Sequence, residues 1–196
     1  MKKQKISAIH KILFVAGIGL LIAAVILLFF WQYGIRFSDE KAEAYVHTIR
    51  TLIPELQGAV PEERSNNIMP ILSLAGTDFV GILEIPRYNS SLPVCEDWSQ
   101  RFRYPCHFSG SIYDRTMQIG GTSQKGQYDF YREISVGDAV FFTDMEGNRY
   151  TYTVTDICYE KRADQSALRR EDSALTLFIK NIYAFEYIII FCTIES

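Results

Sequence analysis

Positive charge is scarce in this 196-residue chain once its amino terminus is set aside. Four of the 20 lysine and arginine residues lie within residues 1–11, which carry no acid, so the rest of the chain holds 16 basic against 23 acidic residues. Proteins that bind nucleic acid neutralise its phosphates with basic patches, and this acidic surplus gives no such electrostatic signature. We therefore exclude nucleic acid as a class of partner.

Long runs without charge are also rare, and the clearest one extends from Ile12 to Trp31. It covers about 20 residues, or roughly 30 Å as a helix, which is the thickness of a bilayer core. No small-residue cleavage site follows, and Trp31 and Tyr33 suit the far membrane interface. We predict a transmembrane signal-anchor over residues 12–33; a cleaved secretory signal peptide is the alternative.

The basic tail, residues 1–11, sets the predicted orientation at the membrane. Its lysines precede the apolar run, so the amino terminus should stay cytoplasmic and the remainder should be extracytoplasmic. The predicted location is thus the cell membrane, with a single crossing. The chain length fits one membrane segment followed by one globular domain.

Cysteine is limited to four residues, Cys95, Cys106, Cys158 and Cys192. All four lie in the segment predicted to be exported, where disulfides persist. Four cysteines allow three pairings, between which the sequence does not choose. A disulfide between Cys95 and Cys106, closing a short loop, is favoured; free buried cysteines acting as small apolar side chains are the alternative.

Residues 34–78 are predicted to form a stalk helix and a linker. Ser38 is typical of a helix N-cap, and acidic residues follow it in the first turn. An apolar stripe is then formed by Tyr45, Ile49, Leu52 and Ile53. Pro54 ends or kinks this helix, and residues 58–70 are typical of a linker. We expect the helix to dock on the next domain; a free amphipathic helix on the membrane is the alternative.

From residue 79 to residue 196 the pattern is that of β-strands. The clearest pair covers residues 175–180 and 186–192, both rich in β-branched and aromatic residues and too short for helices of that apolar density. The run Ile188-Ile189-Ile190-Phe191 lacks polar alternation, which predicts a strand buried on both faces. Many short strands at regular spacing predict a barrel or a sandwich.

The order of several short fragments in this domain resembles the sortase family, the membrane-anchored cysteine transpeptidases of Gram-positive bacteria. The fragments are Gly81-Ile82-Leu83-Glu84-Ile85-Pro86, Leu92-Pro93-Val94, Phe108-Ser109-Gly110-Ser111, Ile119-Gly120-Gly121, Gly147-Asn148-Arg149-Tyr150 and Leu175-Thr176-Leu177. The resemblance implies an all-β fold, a closed β-barrel of about eight strands with short helices.

Sortases act through a histidine, a cysteine and an arginine. An imidazolium stabilises the thiolate that attacks the threonyl carbonyl of a sorting signal, and the arginine steadies the oxyanion. Carried onto this chain, the three positions hold Thr122, Lys180 and, with the register uncertain by one residue, Glu186 or Tyr187. We expect Lys180 and Glu186 to form an ion pair that fills the former active site.

No other residue is expected to replace the missing groups. His107 follows Cys106 directly, so in a strand their side chains point to opposite faces. Cys192 lies in the most apolar strand, where burial raises the pKa of a thiol. A lysine nucleophile would end as a stable amide. We expect no catalytic residue, no cofactor and no metal site.

The leading hypothesis is a pseudo-sortase that binds sorting-signal-like peptides or assists an active sortase. Its partners would be a sorting-signal peptide or pilin-like protein and the active enzyme, during surface-protein or pilus assembly. One alternative is a transpeptidase with an atypical set of residues, and another is a structural cell-surface module without a peptide groove. Peptide binding separates the first hypothesis from the last, and turnover separates the transpeptidase from both.

Overall fold

The computed structural model describes residues 2–53 and 67–194, with side chains described for 14–29, 42–53 and 67–194. One helix, α1, spans Lys2–Leu52, and the chain divides into two compact units, Met1–Ser38 and Asp39–Ser196. Because α1 is continuous through residue 38, no helix begins at Ser38, and that expectation is wrong. The predicted break at Pro54 lies outside the described residues, as does most of the predicted linker.

In the first unit, α1 exposes every described side chain from residue 14 to residue 29. Phe14 is 71% exposed and Leu20 is 73% exposed. No helix in the described part of the chain combines the length and the apolar content that a membrane crossing needs. The signal-anchor over residues 12–33 stays a prediction.

The second unit contains nine β-strands within its described residues. They are β1 Leu72–Leu74, β2 Thr77–Ile85, β3 Ser90–Cys95, β4 Cys106–Ser109, β5 Met117–Thr122, β6 Ala139–Asp144, β7 Arg149–Glu160, β8 Leu175–Asn181 and β9 Glu186–Ile194. A short helix, α2, covers Gln165–Leu168, and 3₁₀ turns cover Pro86–Tyr88 and Trp98–Gln100.

Eight of these strands close into a barrel in the order β2-β3-β4-β5-β8-β9-β7-β6, and β6 pairs back onto β2. Neighbouring strands are antiparallel except β3–β4 and β5–β8, which are parallel. At the closure, a Cβ atom on Gly81 would lie 2.2 Å from the ring of Phe142, so only glycine lets β6 approach β2. The predicted all-β fold with a closed barrel of about eight strands is confirmed.

β1 adds a ninth strand beside β2, ahead of the predicted domain start at residue 79. It pairs with Thr77–Phe79 through a two-residue turn at Ala75, with φ 49°, and Gly76, with φ 78°. Such a turn needs positive φ at both central positions, and its usual sequences are Asn-Gly and Asp-Gly. Ala-Gly does not carry that signal, so the sequence pattern missed the hairpin.

The final strand pair, β8 and β9, lies at the centre of the core. Ile188 and Ile190 point into the barrel with Leu177, whereas Ile189 packs on the other face with Leu168 and the ring of Phe178. All three isoleucines are fully buried, as their unbroken apolar run predicted. Burial of each such side chain stabilises the fold by about 1.5–3 kcal/mol.

The last turns of α1 pack on the outside of the barrel, within the second unit. The buried side chains are Ala42, Val46 and Ile49 on the helix and Ile53 directly after it. They contact a cluster that includes Phe79 and Tyr104. The stripe therefore differs from the one expected, since Leu52 is 56% exposed. Leu52 directly precedes the buried Ile53, and neighbouring residues of a helical turn lie about 100° apart around the helix axis. Leu52 therefore lies off the buried face.

The same cluster contains the disulfide that the sequence favoured. Cys95 and Cys106 pair directly between the parallel strands β3 and β4, with their Cα atoms 4.6 Å apart. The disulfide closes a loop, residues 96–105, that carries the 3₁₀ turn Trp98–Gln100 across the outer face of the sheet. This loop forms one side of the candidate site.

Candidate functional site

The strand register brings three of the sequence-predicted residues together. Thr122 at the end of β5 pairs with Lys180 on the parallel strand β8, and Lys180 pairs with Tyr187 on the antiparallel strand β9. Directly paired residues of neighbouring strands project to the same face of the sheet. The three side chains therefore line one cleft of about 280 Å³, which we call the Lys180 cleft.

The remaining lining residues of this cleft are mostly aromatic. They are Trp98, Arg101, Phe102, Gly121 and Phe178. Trp98, Arg101 and Phe102 come from the disulfide loop and were not predicted from the sequence as site residues. The available signal was the cluster of aromatic and basic residues inside a loop that two cysteines close.

Glu186, the other candidate for the third position, faces away from Lys180. It pairs with Asn181, whose side-chain Nδ2 donates to Glu186 Oε1 at 3.3 Å. A shift of one residue in register moves a side chain to the opposite face of a sheet. The expected ion pair between Lys180 and Glu186 is therefore wrong, and Tyr187 is the residue across from Lys180.

A buried glutamine joins the two walls of the cleft. The side chain of Gln127 accepts a hydrogen bond from the backbone N–H of Thr122 at 2.9 Å, and its Nε2 donates to the carbonyl of Arg101 at 3.2 Å. On the far side, the backbone N–H of Ser123 donates to the carbonyl of Lys180 at 3.1 Å. These bonds hold the strand ends and the disulfide loop in a defined arrangement.

The cleft is cationic. Arg101 donates from Nη1 to the carbonyl of Trp98 at 3.1 Å, and its guanidinium lies 4.5 Å from the ring centre of Phe102. Cation–π contact of this kind holds the guanidinium plane against an aromatic surface. Lys180 is exposed, and none of the eight lining residues is acidic. The cleft is thus a local positive site on a domain whose sequence is acidic.

An aromatic cluster blocks the sheet surface behind the cleft. A Cβ atom on Gly120 would lie 2.3 Å from Phe178 and 2.5 Å from Trp98, so both rings sit directly on the glycine backbone. The ring of Phe108 packs edge-on against each of them, at 4.9 Å from Trp98 and 5.2 Å from Phe178. The Lys180 cleft therefore ends against this wall.

No thiol of the described residues lines the Lys180 cleft. Cys192 is fully buried, and burial raises the pKa of its thiol. Cys158 is half-buried on β7, and burial followed by the nearby Asp156 and Glu160 raises its pKa. A thiol with a raised pKa is a poor nucleophile because little of it is ionised.

His107 is engaged elsewhere. Its Nδ1 lies 2.9 Å from Glu96 Oε2 and its Nε2 lies 2.8 Å from the carbonyl of Gly110. The adjacent Cys106 is buried in its disulfide. Within the part of the chain that the structure describes, no group of three or more His, Cys, Asp or Glu side chains is placed to hold a metal ion.

The fold matches solved sortase structures. Sortase A from Corynebacterium diphtheriae aligns at TM-score 0.53 and 16% identity over 83% of this chain and 84% of that one. Sortase C1 from Streptococcus agalactiae aligns at 0.53 and 19%, over 64% and 72% of the two chains. A Clostridium perfringens sortase C, solved with its C-terminal cell wall sorting motif, aligns at 0.51 and 14%, over 61% and 71%.

No protein-family model and no curated protein matches the chain. The sortase-like fold of the domain is thus established by the structural matches, at 14–19% sequence identity.

Proposed function

We propose that this domain is a non-catalytic, sortase-like module that binds sorting-signal-like peptides and assists an active sortase in surface-protein or pilus assembly. The observation that carries the proposal is the set of side chains that line the Lys180 cleft. The ends of β5 and β8 present the hydroxyl of Thr122 and the ammonium of Lys180, with Tyr187 beside them. Acyl transfer of the sortase type needs a thiolate and an imidazole instead.

Lys180 does not supply the missing chemistry. A thioester stays reactive and passes its acyl group on, whereas an acylated lysine is a stable amide and stops after one event. An attacking amine also needs a group to take its proton, and the described lining residues of the cleft include neither a histidine nor a carboxylate. The two free thiols of the described residues lie outside the cleft.

Peptide binding does not need a nucleophile or a base, and exposed aromatic side chains at and near the cleft provide surfaces for it. Phe102 is 53% exposed at its rim, and the β8–β9 link adds Tyr183 at 66% and Phe185 at 86%. Exposed aromatic side chains supply large contact areas at low entropic cost and are enriched at interfaces. The fold shared with the Clostridium perfringens sortase C that contains a sorting motif supports the same proposal.

The proposal includes a membrane anchor at residues 12–33. Its support is the uncharged run from Ile12 to Trp31 and the exposure of all described α1 side chains at 14–29. The run continues on both sides of these described side chains. Protease added to protoplasts should digest the domain and leave a membrane-embedded amino-terminal fragment. Recovery of the free domain in the medium would contradict the anchor.

Turnover and binding can be tested on the full-length chain with a panel of sorting-signal peptides and an amine acceptor. We expect peptide retention without cleavage and without a mass increase on the protein. An acyl-sized mass increase on a cysteine, with product formed above background, would identify a transpeptidase. Neither retention nor turnover would leave a structural module.

A further inference from the structure

The two cations of the Lys180 cleft have no acidic partner in the part of the chain that the structure describes. Neither Lys180 nor Arg101 forms an ion pair with any described residue of the domain, and Glu186 is turned to the opposite face. Beyond residue 11 the chain carries a surplus of acid, yet none of the eight described residues that line this cleft is acidic. Two like charges on neighbouring walls repel one another, and a bound anion would relieve that repulsion.

Arg101 is held in place before any ligand arrives. Its bond to the carbonyl of Trp98 and its contact with the ring of Phe102 fix the guanidinium plane. The remaining N–H groups have no hydrogen-bond partner among the described residues. A preorganised guanidinium loses little entropy when it binds a carboxylate, and this geometry favours a specific contact.

Thr122 gives an independent sign of a ligand. Its side chain lines the cleft and is 2% exposed, and its Oγ1 makes no hydrogen bond within the described structure. A buried hydroxyl without a partner is unfavourable, and among the described buried side-chain atoms without a partner, Thr122 Oγ1 is the one whose residue lines this cleft. A ligand oxygen or N–H at the floor of the cleft would satisfy it.

We infer that the Lys180 cleft selects an acidic peptide segment, and that it binds the carboxylate of an Asp or Glu side chain between Lys180 and Arg101. This inference rests on the peptide binding proposed above and adds the charge of the ligand. Thr122 would hydrogen-bond the same segment at the floor of the cleft.

The shape of the cleft favours a side-chain carboxylate over a phosphate. Its volume of about 280 Å³ is near the lower limit of ligand pockets, so it holds one or two residues and not a whole peptide. Four aromatic rings, those of Trp98, Phe102, Phe178 and Tyr187, line it. These aromatic surfaces suit the methylene stem of an acidic side chain. A phosphate has no such apolar stem, and its strongly hydrated oxygens would face mostly aromatic surface.

The test compares two pools of acetylated and amidated heptapeptides, randomised except for a central Glu in one pool and a central Gln in the other. Retention of each pool on immobilised full-length protein is measured by mass spectrometry. We expect about tenfold preference for the Glu pool, equivalent to about 1.4 kcal/mol. The variants Lys180→Gln and Arg101→Gln should lose that preference while still retaining peptide.

Two matched variants serve as controls. Lys161→Gln and Arg103→Gln remove exposed cations that do not line the cleft, and both should keep the Glu preference. Equal retention of the two pools would overturn the charge selection and leave peptide binding intact. Retention of neither pool would overturn the proposed function itself. Inorganic phosphate binding more tightly than the Glu peptides would assign the cleft to phosphate and overturn the peptide carboxylate.

Discussion

Lys180 lies directly across the β8–β9 pair from Tyr187, whereas Glu186 pairs with Asn181 on the opposite face. This register leaves the ammonium of Lys180 in the cleft without a counter-charge among the described lining residues. It also places the ring of Tyr187 beside Lys180.

The first prediction concerns Lys180 and Glu186, which face opposite sides of the sheet and do not form an ion pair. The variants Lys180→Ala and Glu186→Ala, alone and combined, should change the free energy of unfolding additively, within about 0.5 kcal/mol. The cycle of Asn181→Ala with Glu186→Ala should show the larger coupling, because those side chains share a hydrogen bond. Denaturant midpoints measure both cycles. Strong coupling of Lys180 with Glu186 would contradict the register.

The second prediction concerns the unpartnered hydroxyl. Thr122→Val keeps the side-chain shape and removes a buried oxygen that has no hydrogen bond, so it should leave stability unchanged or raise it by up to about 1 kcal/mol. The same variant should weaken peptide retention. Thr176→Val is the matched control, since the buried Thr176 hydroxyl lies 3.3 Å from that of Ser173, and its loss should destabilise the fold. A destabilised Thr122→Val would indicate that its hydroxyl is bonded within the protein.

The third prediction concerns the disulfide. Cys95 and Cys106 are 11 residues apart, and a loop of that length contributes about 3 kcal/mol when closed. Reductant should lower the denaturant midpoint of the native protein by a corresponding amount. A Cys95→Ser, Cys106→Ser variant should start lower and no longer respond to reductant. Because Trp98 and Arg101 lie in this loop, reduction should also weaken peptide retention.

The fourth prediction concerns acid stability. Burial by itself would raise the pKa of Asp138, but Arg87 at 2.6 Å, the N–H of Ser135 and the hydroxyl of Tyr88 together hold it below its usual value. A lowered folded pKa contributes stability above the unfolded pKa of about 3.9 and loses it as pH falls through the folded pKa.

Asp138→Asn should therefore lower stability at neutral pH and flatten the decline of stability below about pH 4. Urea midpoints measured across acidic pH give both quantities. Asp172→Asn, which alters an exposed carboxylate, should leave the profile close to that of the native protein. An unchanged acid profile in Asp138→Asn would mean that the Arg87 contact adds nothing to stability.

Much of the barrel could be predicted from the sequence, because buried strands are made of apolar residues and can be recognised from them. The unbroken run from Ile188 to Phe191 and the apolar strand before it predicted the central strand pair, and the structure buries both. The assignment of Thr122 and Lys180 to the sortase histidine and cysteine positions also came from the sequence, since it depends only on which residue follows each strand, and it stays a prediction. The short Cys95–Cys106 loop was favoured on its spacing alone.

The tertiary structure decided what depends on register and on distant parts of the chain. A link of four residues, 182–185, fits either neighbour of Lys180, and only the β8–β9 hydrogen bonds select Tyr187 over Glu186. Arg101 lies 79 positions before Lys180 in the sequence, and no local pattern brings the two into one cleft. Periodicity records which side chains are buried, whereas the partners across a sheet are set by the pairing of strands that close the barrel.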